Sequence, residues 1–354
     1  MNGKILILCG TGSIGSYTTK ELLDCGYSLD VTTKEYLVSD NPRLNYLKFN
    51  SYDVNLLKPL LDENKYDAIV DFSYYTPDVY TERLPLLASS TSQLIFLSSY
   101  RVYADLQHPI TENAPQLLDV TKDKFLLEEE EYAMQKCRCE RVINASQYKS
   151  RVTVVRPVIS FYYKSLSLIT TPAPTLIPRS LAGKKILLPL EGKDVVAGFG
   201  WSGNNGKLIS RLVLNENALG EAFTIGTDEG LTWGEIAEYY KEYLGTQYTF
   251  TDKETYLKYG TTNSKSDLFG LDGDRLLDRS IDISKLLSAT KLNRKDLLPT
   301  KDAIKSECER IKSAPDKLIK ALSNEKSLLI DKQLDEYFSH HEECSIPQAF
   351  NSSL

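Results

Sequence analysis

The sequence predicts an α/β protein built on a doubly wound parallel sheet, followed by a smaller C-terminal lobe. Three observations lead to this fold class. Short apolar runs alternate with longer amphipathic stretches over the first 156 residues, a glycine-rich turn joins the first run to the first amphipathic stretch, and prolines and glycines become frequent after Pro157. Such strand–helix alternation is typical of a parallel sheet with helices on both faces.

Apolar runs of strand length define the predicted sheet. The strand candidates are Lys4–Leu8, Ser28–Thr32, Asn45–Phe49, Ala68–Phe72, Gln93–Leu97 and Arg151–Val155. Between these runs, apolar residues recur at helical spacing. The helix candidates are Ile14–Cys25, Val54–Glu63, Val79–Ser89 and roughly Glu128–Ser146, with Lys207–Leu214 as a later helix that returns to the sheet.

The shift towards proline and glycine predicts the domain boundaries. Residues 1–156 and about 198–220 are assigned to the sheet domain. Residues 157–197 and about 221–310 are assigned to the smaller lobe, and residues 311–354 to a C-terminal helix and tail.

The smaller lobe is predicted to contain a capped helix at Trp233–Leu244. Thr232 is its expected N-cap, and Glu235 completes a capping box. The other predicted segments are a polar loop at 245–273, a lysine-rich surface helix at Thr300–Leu322, and a short helix with a frayed end beyond Asp331.

The composition argues against several classes of function. The chain has 42 Lys and Arg against 48 Asp and Glu, a net charge of -6 without a basic block, which disfavours nucleic-acid or membrane-surface binding. No apolar run approaches the roughly 20 residues that span a bilayer, and the first residues lack a signal-peptide pattern, so we expect a cytoplasmic protein. With only three histidines, and six cysteines without a CxxC pair, we expect no metal site. The 22 tyrosines draw attention to tyrosine for proton chemistry.

A glycine-rich turn follows the first predicted strand directly and opens the first helix. Its sequence is Leu8-Cys9-Gly10-Thr11-Gly12-Ser13-Ile14-Gly15. In such a G-x-G-x-x-G, Gly10 permits a tight turn, Gly12 lets the backbone approach a pyrophosphate, and Gly15 lets helix and strand pack closely. Free N–H groups at the helix N-terminus then face the phosphates. The motif predicts a Rossmann-type dinucleotide site formed by residues 10–15; the alternative is a tight turn without a ligand.

The end of the second strand bears on which dinucleotide binds. An acidic residue there would accept hydrogen bonds from the ribose of NAD, but the sequence has Thr33 and Lys34. A hydroxyl and a cation suit the phosphate of NADP slightly better. The acidic Glu35 is close enough in sequence for NAD to remain an alternative. An equal alternative is that Lys34 is a solvated surface charge without a role in cofactor binding. Further along, Phe72 and Ser73 lie at the end of the fourth strand and are predicted to border the cofactor. The alternative is that a residue there only caps the strand.

Together with this turn, several segments resemble the extended short-chain dehydrogenase/reductase family, the NAD-dependent epimerase/dehydratase group, over roughly residues 3 to 310. The matching segments are Asp67-Ala68-Ile69-Val70-Asp71-Phe72-Ser73, Phe96-Leu97-Ser98-Ser99-Tyr100-Arg101-Val102-Tyr103, Tyr132-Ala133-Met134-Gln135-Lys136, Arg156-Pro157 and Gly220-Glu221-Ala222-Phe223-Thr224-Ile225-Gly226. The resemblance places Asn50 against the adenine. It also implies a homodimer formed through the helix that carries Tyr132 and the Val79–Ser89 helix.

The resemblance further implies a catalytic Ser or Thr and a Tyr-x-x-x-Lys on a helix. Lys124 lies at the usual distance from Ser99 but would place Val120 where the tyrosine belongs. Tyr132 and Lys136 satisfy the motif literally, with a lengthened loop from about residue 105 to 127. We therefore assign Ser99, Tyr132 and Lys136 as catalytic residues, with Lys136 also binding the cofactor.

The spacing of this pair has a chemical reason. Residues four apart share one helical face, so the ammonium of Lys136 is expected near the phenol of Tyr132. A neighbouring cation lowers the pKa of a phenol. Tyr132 would then take a proton from a substrate hydroxyl to which Ser99 donates a hydrogen bond. The alternative is an ordinary exposed helical pair.

The resemblance also narrows the reaction. The 4,6-dehydratases of the family have an Asp-Glu pair where this chain has Tyr100-Arg101. This difference favours an epimerase or a reductase that acts on a sugar. The resemblance to the family implies that the sugar is nucleotide-activated. The family's usual diphosphate-binding arginines are missing from their positions. The candidate substrate residues are Tyr100, Arg101, Arg179 and Arg275, with Lys184, Lys185 and Arg279 as further cations. A non-catalytic dinucleotide-binding scaffold or sensor is the alternative function.

Overall fold

The computed structural model of the protein describes residues 3–128 and 131–342. It divides into two compact units. The first comprises the chain up to Tyr162, Gly198–Gly230 and Asp278–Ala303. The second comprises Tyr163–Ala197, Leu231–Leu277 and the chain from Ile304 onwards.

Parallel strands form the centre of the first unit. The strands of the described residues, in chain order, are β1 (Lys4–Leu8), β2 (Ser28–Thr33), β3 (Leu44–Lys48), β4 (Ala68–Asp71), β5 (Gln93–Leu97), β6 (Val152–Pro157), β7 (Ile159–Phe161), β8 (Lys185–Pro189), β9 (Phe199–Trp201), β10 (Ala222–Ile225) and β11 (Gln247–Thr251). Seven of these described strands form one sheet in the order β10-β6-β5-β4-β1-β2-β3, and each pairs parallel with its neighbour. The predicted doubly wound fold is confirmed, and β10 extends the sheet past the predicted limit near residue 220.

Helices cover the sheet and build much of the second unit. In chain order, those of the described residues are α1 (Ser13–Asp24), α2 (Val54–Glu63), α3 (Pro77–Ser89), α4 (Leu117–Val120), α5 (Lys124–Glu128), α6 (Tyr132–Ala145), α7 (Ala173–Leu181), α8 (Ser202–Ser210), α9 (Trp233–Leu244), α10 (Lys253–Gly260), α11 (Lys265–Gly270), α12 (Ser284–Thr290), α13 (Thr300–Ser313), α14 (Pro315–Leu322) and α15 (Glu325–Glu342). No helix of the described residues is long and apolar enough to cross a membrane.

The apolar run of β1 shows why this sheet is central. Ile5 and Ile7 lie in one core cluster with Leu22 of α1, and Leu6 and Leu8 lie in another with residues of α2 and α3. Since successive side chains of a strand point to opposite faces, a strand covered on both sides needs apolar residues throughout. The uninterrupted run therefore follows from a position in the middle of a two-sided sheet.

The topology creates a crevice at the carboxyl ends of β1 and β4. The chain passes from β1 outward to β2 and β3, and then returns to β4 on the other side of β1. In open α/β sheets, ligands bind where the strand order reverses in this way. The glycine turn follows β1 at this edge.

The returning helix differs from its prediction. The sequence predicted Lys207–Leu214, whereas α8 covers Ser202–Ser210. A Cβ on Gly206 would lie 2.7 Å from the backbone N of Thr18, so this glycine lets α8 approach α1 closely. The apolar residues that suggested a later helix lie at the end of α8 and in the turn after it, where Leu212 and Val213 are buried.

Three sequence predictions for the second unit need correction. Residues 245–273 are not a loop, because they form β11, which pairs with β8, as well as α10 and α11. The predicted helix Thr300–Leu322 is two helices, α13 and α14, with Pro315 at the start of the second. The predicted short helix beyond Asp331 is part of α15, which begins at Glu325. The capping box of Thr232 and Glu235 on α9 is confirmed.

Candidate active site

The glycine turn leaves the start of α1 open to a ligand. Gly12 is the N-cap of α1, no side chain caps the helix, and its first turn has no acidic residue. A Cβ on Gly15 would lie 2.7 Å from the carbonyl oxygen of Gly10, and a Cβ on Gly10 would lie 2.6 Å from Cγ1 of Val31. A Cβ on Gly12 would meet nothing closer than the Cys9 carbonyl oxygen at 3.9 Å. Packing therefore explains Gly10 and Gly15, whereas the space at Gly12 fits a bound pyrophosphate.

A cavity of about 340 Å³ adjoins this turn. Of the predicted cofactor residues, its lining includes Thr11, Gly12, Thr33, Lys34 and Asn50. Lys34 and Glu35 are both exposed at its edge, so a positive and a negative charge flank the cavity together.

The other predicted cofactor residues lie outside the cavity lining. Ile14 belongs to the core of the sheet unit, and Phe72 packs against that core. Ser73 is buried; its N–H donates to Oδ1 of Asp71 at 2.9 Å, and its hydroxyl donates to Sγ of Cys9 at 3.4 Å. Sequence reasoning missed Cys9 as a lining residue, although it lies inside the glycine motif.

The predicted catalytic residues meet where β5 ends and α6 begins. Ser99 follows β5 by two residues, Tyr132 is the first residue of α6, and Lys136 lies one helical turn further on. The Nζ of Lys136 is 5.9 Å from the ring centroid of Tyr132. It donates a hydrogen bond of 2.6 Å to the carbonyl oxygen of Leu97, and the side chain is buried. The two residues share one helical face, as their spacing predicts.

The electrostatics of this pair differ from the sequence expectation. Burial lowers the pKa of Lys136 to about 8. Burial also raises the pKa of the Tyr132 phenol above its ordinary value, while the charge of Arg101 and a hydrogen bond from Ser99 act in the opposite direction. The expected net lowering of the phenol's pKa by Lys136 is therefore wrong for this structure, because desolvation is the larger influence and Arg101 is the main cation opposing it.

Arg101 lies beside Tyr132 and contacts the residues around it. Its guanidinium carbon is 5.8 Å from the Tyr132 ring centroid, and its Nη2 forms an ion pair of 2.8 Å with Oε1 of Glu131. Its backbone N–H donates to the Ser99 hydroxyl oxygen at 3.2 Å. On the other side, the ring of Tyr74 stacks on Tyr132 at a centroid distance of 5.8 Å.

A buried ion pair fixes α6 against the sheet beneath this site. Glu140 accepts from Nε and Nη2 of Arg156 at 2.9 and 2.6 Å, and from the hydroxyl of Ser98 at 2.5 Å. Both charged side chains are buried. Because Ser98 precedes Ser99 and Glu140 follows Lys136 by one turn, this pair holds both parts of the candidate site in register.

The predicted substrate residues are dispersed. Tyr100 is buried, and its ring lies so close to Gly198 that a Cβ there would be 2.6 Å from it. Of the pair Tyr100 and Arg101, only Arg101 lies beside Tyr132. Arg179 and Arg275 belong to the second unit. Arg179 forms ion pairs of 2.5 and 2.9 Å with the α15 residues Asp331 and Asp335, and Lys184 forms one of 2.7 Å with Asp335.

Arg275 also has protein partners. Its Nε donates to the carbonyl oxygen of Ile169 at 3.1 Å, and its guanidinium pairs with Asp274. Arg279 is buried in the first unit, 5.6 Å from the Tyr100 ring centroid. Among the residues that the structure describes, no group of His, Cys, Asp and Glu could hold a metal ion.

Comparisons with known proteins agree with this fold. The model of the NAD dependent epimerase/dehydratase family matches residues 5–193. An epimerase from Methanothermobacter thermautotrophicus is 14% identical, with 90% of this chain and 94% of that chain covered and a TM-score of 0.69. A dTDP-glucose 4,6-dehydratase from Bacillus anthracis in complex with NAD is 19% identical, with 91% and 100% covered and a TM-score of 0.66.

A third solved structure is a UDP-glucose-4-epimerase from Stenotrophomonas maltophila with bound NAD and formylated UDP-arabinopyranose. It is 15% identical, with 89% of this chain and 99% of that chain covered and a TM-score of 0.65. No curated protein matches the chain. The family is described as NAD dependent, so the slight preference for NADP drawn from Thr33 and Lys34 is not supported. Because the family model covers more than half of its length, the chain belongs to the NAD-dependent epimerase/dehydratase family.

Proposed function

We propose that this protein is an NAD-dependent enzyme that epimerises or reduces a nucleotide-activated sugar, with Tyr132 as its acid–base. The observation that carries the proposal is the meeting of Ser99, Tyr132 and Lys136 in the unit that also has the open glycine turn. Residues distant in sequence supply the hydroxyl, the phenol and the ammonium that such a reaction needs.

The residues of the glycine turn suit the cofactor. The N–H groups at the start of α1 would hold the pyrophosphate beside Gly12, where no side chain competes for them. Thr11, Thr33 and Asn50 would line the adenosine side, since they surround the adjoining cavity. When bound, NAD⁺ would supply a hydride acceptor for the oxidative step of an epimerisation, and NADH would supply a hydride donor for a reduction.

Proton transfer falls to the chain's own residues. In the oxidative direction, the Tyr132 phenolate takes the proton of the substrate hydroxyl, and the Ser99 hydroxyl donates a hydrogen bond to the same oxygen. In the reductive direction, the Tyr132 phenol returns a proton to that oxygen. Lys136, with a pKa of about 8, is mostly protonated at neutral pH and keeps a positive charge under the site. General acid–base catalysis of this kind contributes about 10²–10⁴-fold to a rate.

The residues after Ser99 favour epimerisation or reduction over 4,6-dehydration. Dehydration needs an acid and a base beside the sugar, and the corresponding positions have the buried phenol of Tyr100 and the ion-paired guanidinium of Arg101. The likeness to the Bacillus anthracis dehydratase bears on the fold alone, because the identity is 19%.

Two further parts of the proposal concern the substrate lobe and the oligomer. We assign the sugar-binding role to the smaller lobe and propose a homodimer formed through α3 and α6, which pack together in the first unit. Val79 of α3 is 44% exposed and is available for such an interface. Light scattering coupled to size exclusion should give twice the chain mass of 40.0 kDa; a monomeric mass would refute the dimer.

Tyr132→Phe tests the enzymatic role, with Tyr148→Phe, beyond the other end of α6, as the matched control. Each variant is incubated with a panel of UDP- and dTDP-sugars and with NAD⁺ or NADH, the products are separated by chromatography, and NAD affinity is measured by calorimetry. We expect Tyr132→Phe to lose at least about 100-fold in turnover with unchanged NAD affinity, and the control to remain active. Full turnover in Tyr132→Phe would refute the assignment.

The same experiment tests the alternative function, a dinucleotide-binding scaffold or sensor. The observation that favours this alternative is that Arg179 and Arg275 of the second unit are engaged in ion pairs. If the wild-type protein binds NAD and converts no sugar of the panel, the scaffold is supported.

A further inference from the structure

Tyr132 occupies an unusual position for a residue that must be held accurately. It is the first residue of α6, so no earlier turn of this helix packs beside it. The residue is 37% exposed. Contacts from outside the helix must therefore fix its orientation.

Glu131 and Arg101 supply these contacts. Glu131 is the N-cap of α6, and its Oε2 accepts the N–H of Ala133 at 2.5 Å. Its other oxygen, Oε1, forms the ion pair of 2.8 Å with Arg101. Both side chains are largely shielded from solvent, with 12% and 19% exposed respectively. One carboxylate thus joins the start of α6 to the turn after Ser99.

Lys136, the other cation near Tyr132, has several further partners. Its ammonium is directed to the Leu97 carbonyl oxygen at 2.6 Å. The charge also lies within cation–π distance of the Phe96 ring, 5.1 Å away, and of the Tyr74 ring, 5.5 Å away. Both cations lie at a similar distance from the Tyr132 ring centroid, 5.9 Å for Lys136 and 5.8 Å for Arg101. They differ in their partners: the ammonium of Lys136 is directed to the Leu97 carbonyl oxygen, whereas Arg101 is joined through Glu131 to the start of α6.

We propose that Arg101 is a positioning residue for Tyr132: held by Glu131, it fixes the ring at the start of α6 and supplies the positive charge that stabilises the phenolate. This inference rests on the proposed function, in which Tyr132 is the acid–base. It assigns to Arg101 a role other than the predicted binding of substrate phosphate.

The groups that face Tyr132 predict the sign of each substitution. Arg101 and Ser99, from the turn after β5, favour the phenolate, whereas Glu131 of the same helix start and Tyr74 after β4 oppose it. Lys136 faces the ring from the next turn of α6. Removing the Arg101 charge should therefore raise the pKa of Tyr132, and removing the Glu131 charge should lower it.

The experiment titrates the phenol directly, without turnover. Difluorotyrosine, whose phenol ionises nearer neutral pH, is incorporated at position 132 alone and followed by ¹⁹F NMR as the pH is raised. The variants are Arg101→Gln, Arg101→Lys and Glu131→Gln. The matched control is Arg141→Gln, which removes an ion-paired arginine further along α6.

We expect Arg101→Gln to raise the midpoint by about one pH unit, the low end for a charge within 4–6 Å, because the guanidinium carbon is 5.8 Å from the ring centroid. Arg101→Lys should restore most of this change, Glu131→Gln should shift the midpoint downward, and Arg141→Gln should leave it unchanged. A role limited to structural support would move the Arg101→Gln and Glu131→Gln midpoints in the same direction. An unchanged midpoint in Arg101→Gln, or a shift in Arg101→Lys as large as that in Arg101→Gln, overturns the proposal.

Turnover then separates this proposal from the proposed function. If Tyr132 is the base, the acid limb of the kcat profile in Arg101→Gln moves to higher pH by the shift seen in the titration. A shifted titration with no turnover in any variant would contradict the proposed function and leave the role of Arg101 supported. If Arg101→Gln does not fold, the downward shift of the titration midpoint in Glu131→Gln still tests the proposal. The absence of that shift refutes it.

Discussion

Gly12→Ala should weaken NAD binding without destabilising the protein. The added Cβ would lie 3.9 Å from its nearest neighbour, the Cys9 carbonyl oxygen, and the φ of Gly12 is -71°, which alanine adopts readily. Alanine is a poorer N-cap than glycine, but it also reduces the entropy of the unfolded chain. These effects are each about 0.5–1 kcal/mol and oppose each other, so the net change in the unfolding free energy is small.

The same methyl group would stand where the backbone is expected to meet the pyrophosphate. Loss of one charge-assisted hydrogen bond to a phosphate costs about 1.5–3 kcal/mol, which corresponds to about 10- to 100-fold in affinity. Calorimetry with NAD measures this loss, and thermal unfolding followed by circular dichroism measures stability.

Gly15→Ala is the matched comparison. Its Cβ would lie 2.7–2.8 Å from three backbone atoms of Gly10, which cannot move aside as a flexible side chain would. We expect a loss of about 3 kcal/mol and a melting temperature lower by about 4 °C. Wild-type NAD affinity in Gly12→Ala would refute the proposed pyrophosphate site, and wild-type stability in Gly15→Ala would refute the packing argument.

Three further predictions concern buried charges. Arg156→Met leaves the buried Glu140 carboxylate without its cation and should lower the free energy of unfolding, measured with urea, by about 3–5 kcal/mol. Arg294→Met, which breaks an exposed ion pair, should lower it by less than about 1 kcal/mol. Equal losses in the two variants would contradict the burial argument. The folded state releases the Lys136 proton near pH 8 and the unfolded state near pH 10.5. Between these two values, the free energy of unfolding of the wild type relative to Lys136→Met should therefore rise by about 3 kcal/mol. If this difference does not change with pH, the assigned pKa is refuted. Arg179→Met removes the partner of Asp331 and Asp335 and should speed amide hydrogen exchange in α15; unchanged exchange would show that the ion pairs do not hold this helix.

The sheet was predictable because its local and global patterns agree. Strands buried on both faces read as continuous apolar runs, as in Ile5-Leu6-Ile7-Leu8, and the glycine turn marks the point where strand becomes helix. The order of motifs along the chain also identified Tyr132 and Lys136 on one helical face.

The second unit was harder to predict because its elements expose much of their surface. In β11, the exposed Gln247 and Thr249 alternate with the partly buried Tyr248 and Phe250. This exposed face makes the stretch resemble a polar loop in sequence. Helix α10 buries Tyr256 fully and depends on the Asp252 side chain for its start. Such short, half-exposed elements have a weak periodic signal.

The electrostatics of the site could not be read from spacing. Sequence placed Lys136 one turn from Tyr132, but the direction of its ammonium towards Leu97 depends on where β5 ends. The ion pair of Arg101 with Glu131 joins residues 30 positions apart. Burial, which decides the direction of both pKa shifts, is a property of the packed unit.

A single-turnover measurement tests the central claim most directly. Wild type and Tyr132→Phe, loaded with NAD⁺ for an epimerase or with NADH for a reductase, are mixed with the sugar nucleotide that gives product in the panel. The absorbance of reduced nicotinamide is followed in a stopped-flow instrument. With equal cofactor loading, the account predicts a rapid change of this absorbance in the wild type and a rate at least about 100-fold lower in Tyr132→Phe. Equal rates in the two proteins would show that Tyr132 is not the acid–base.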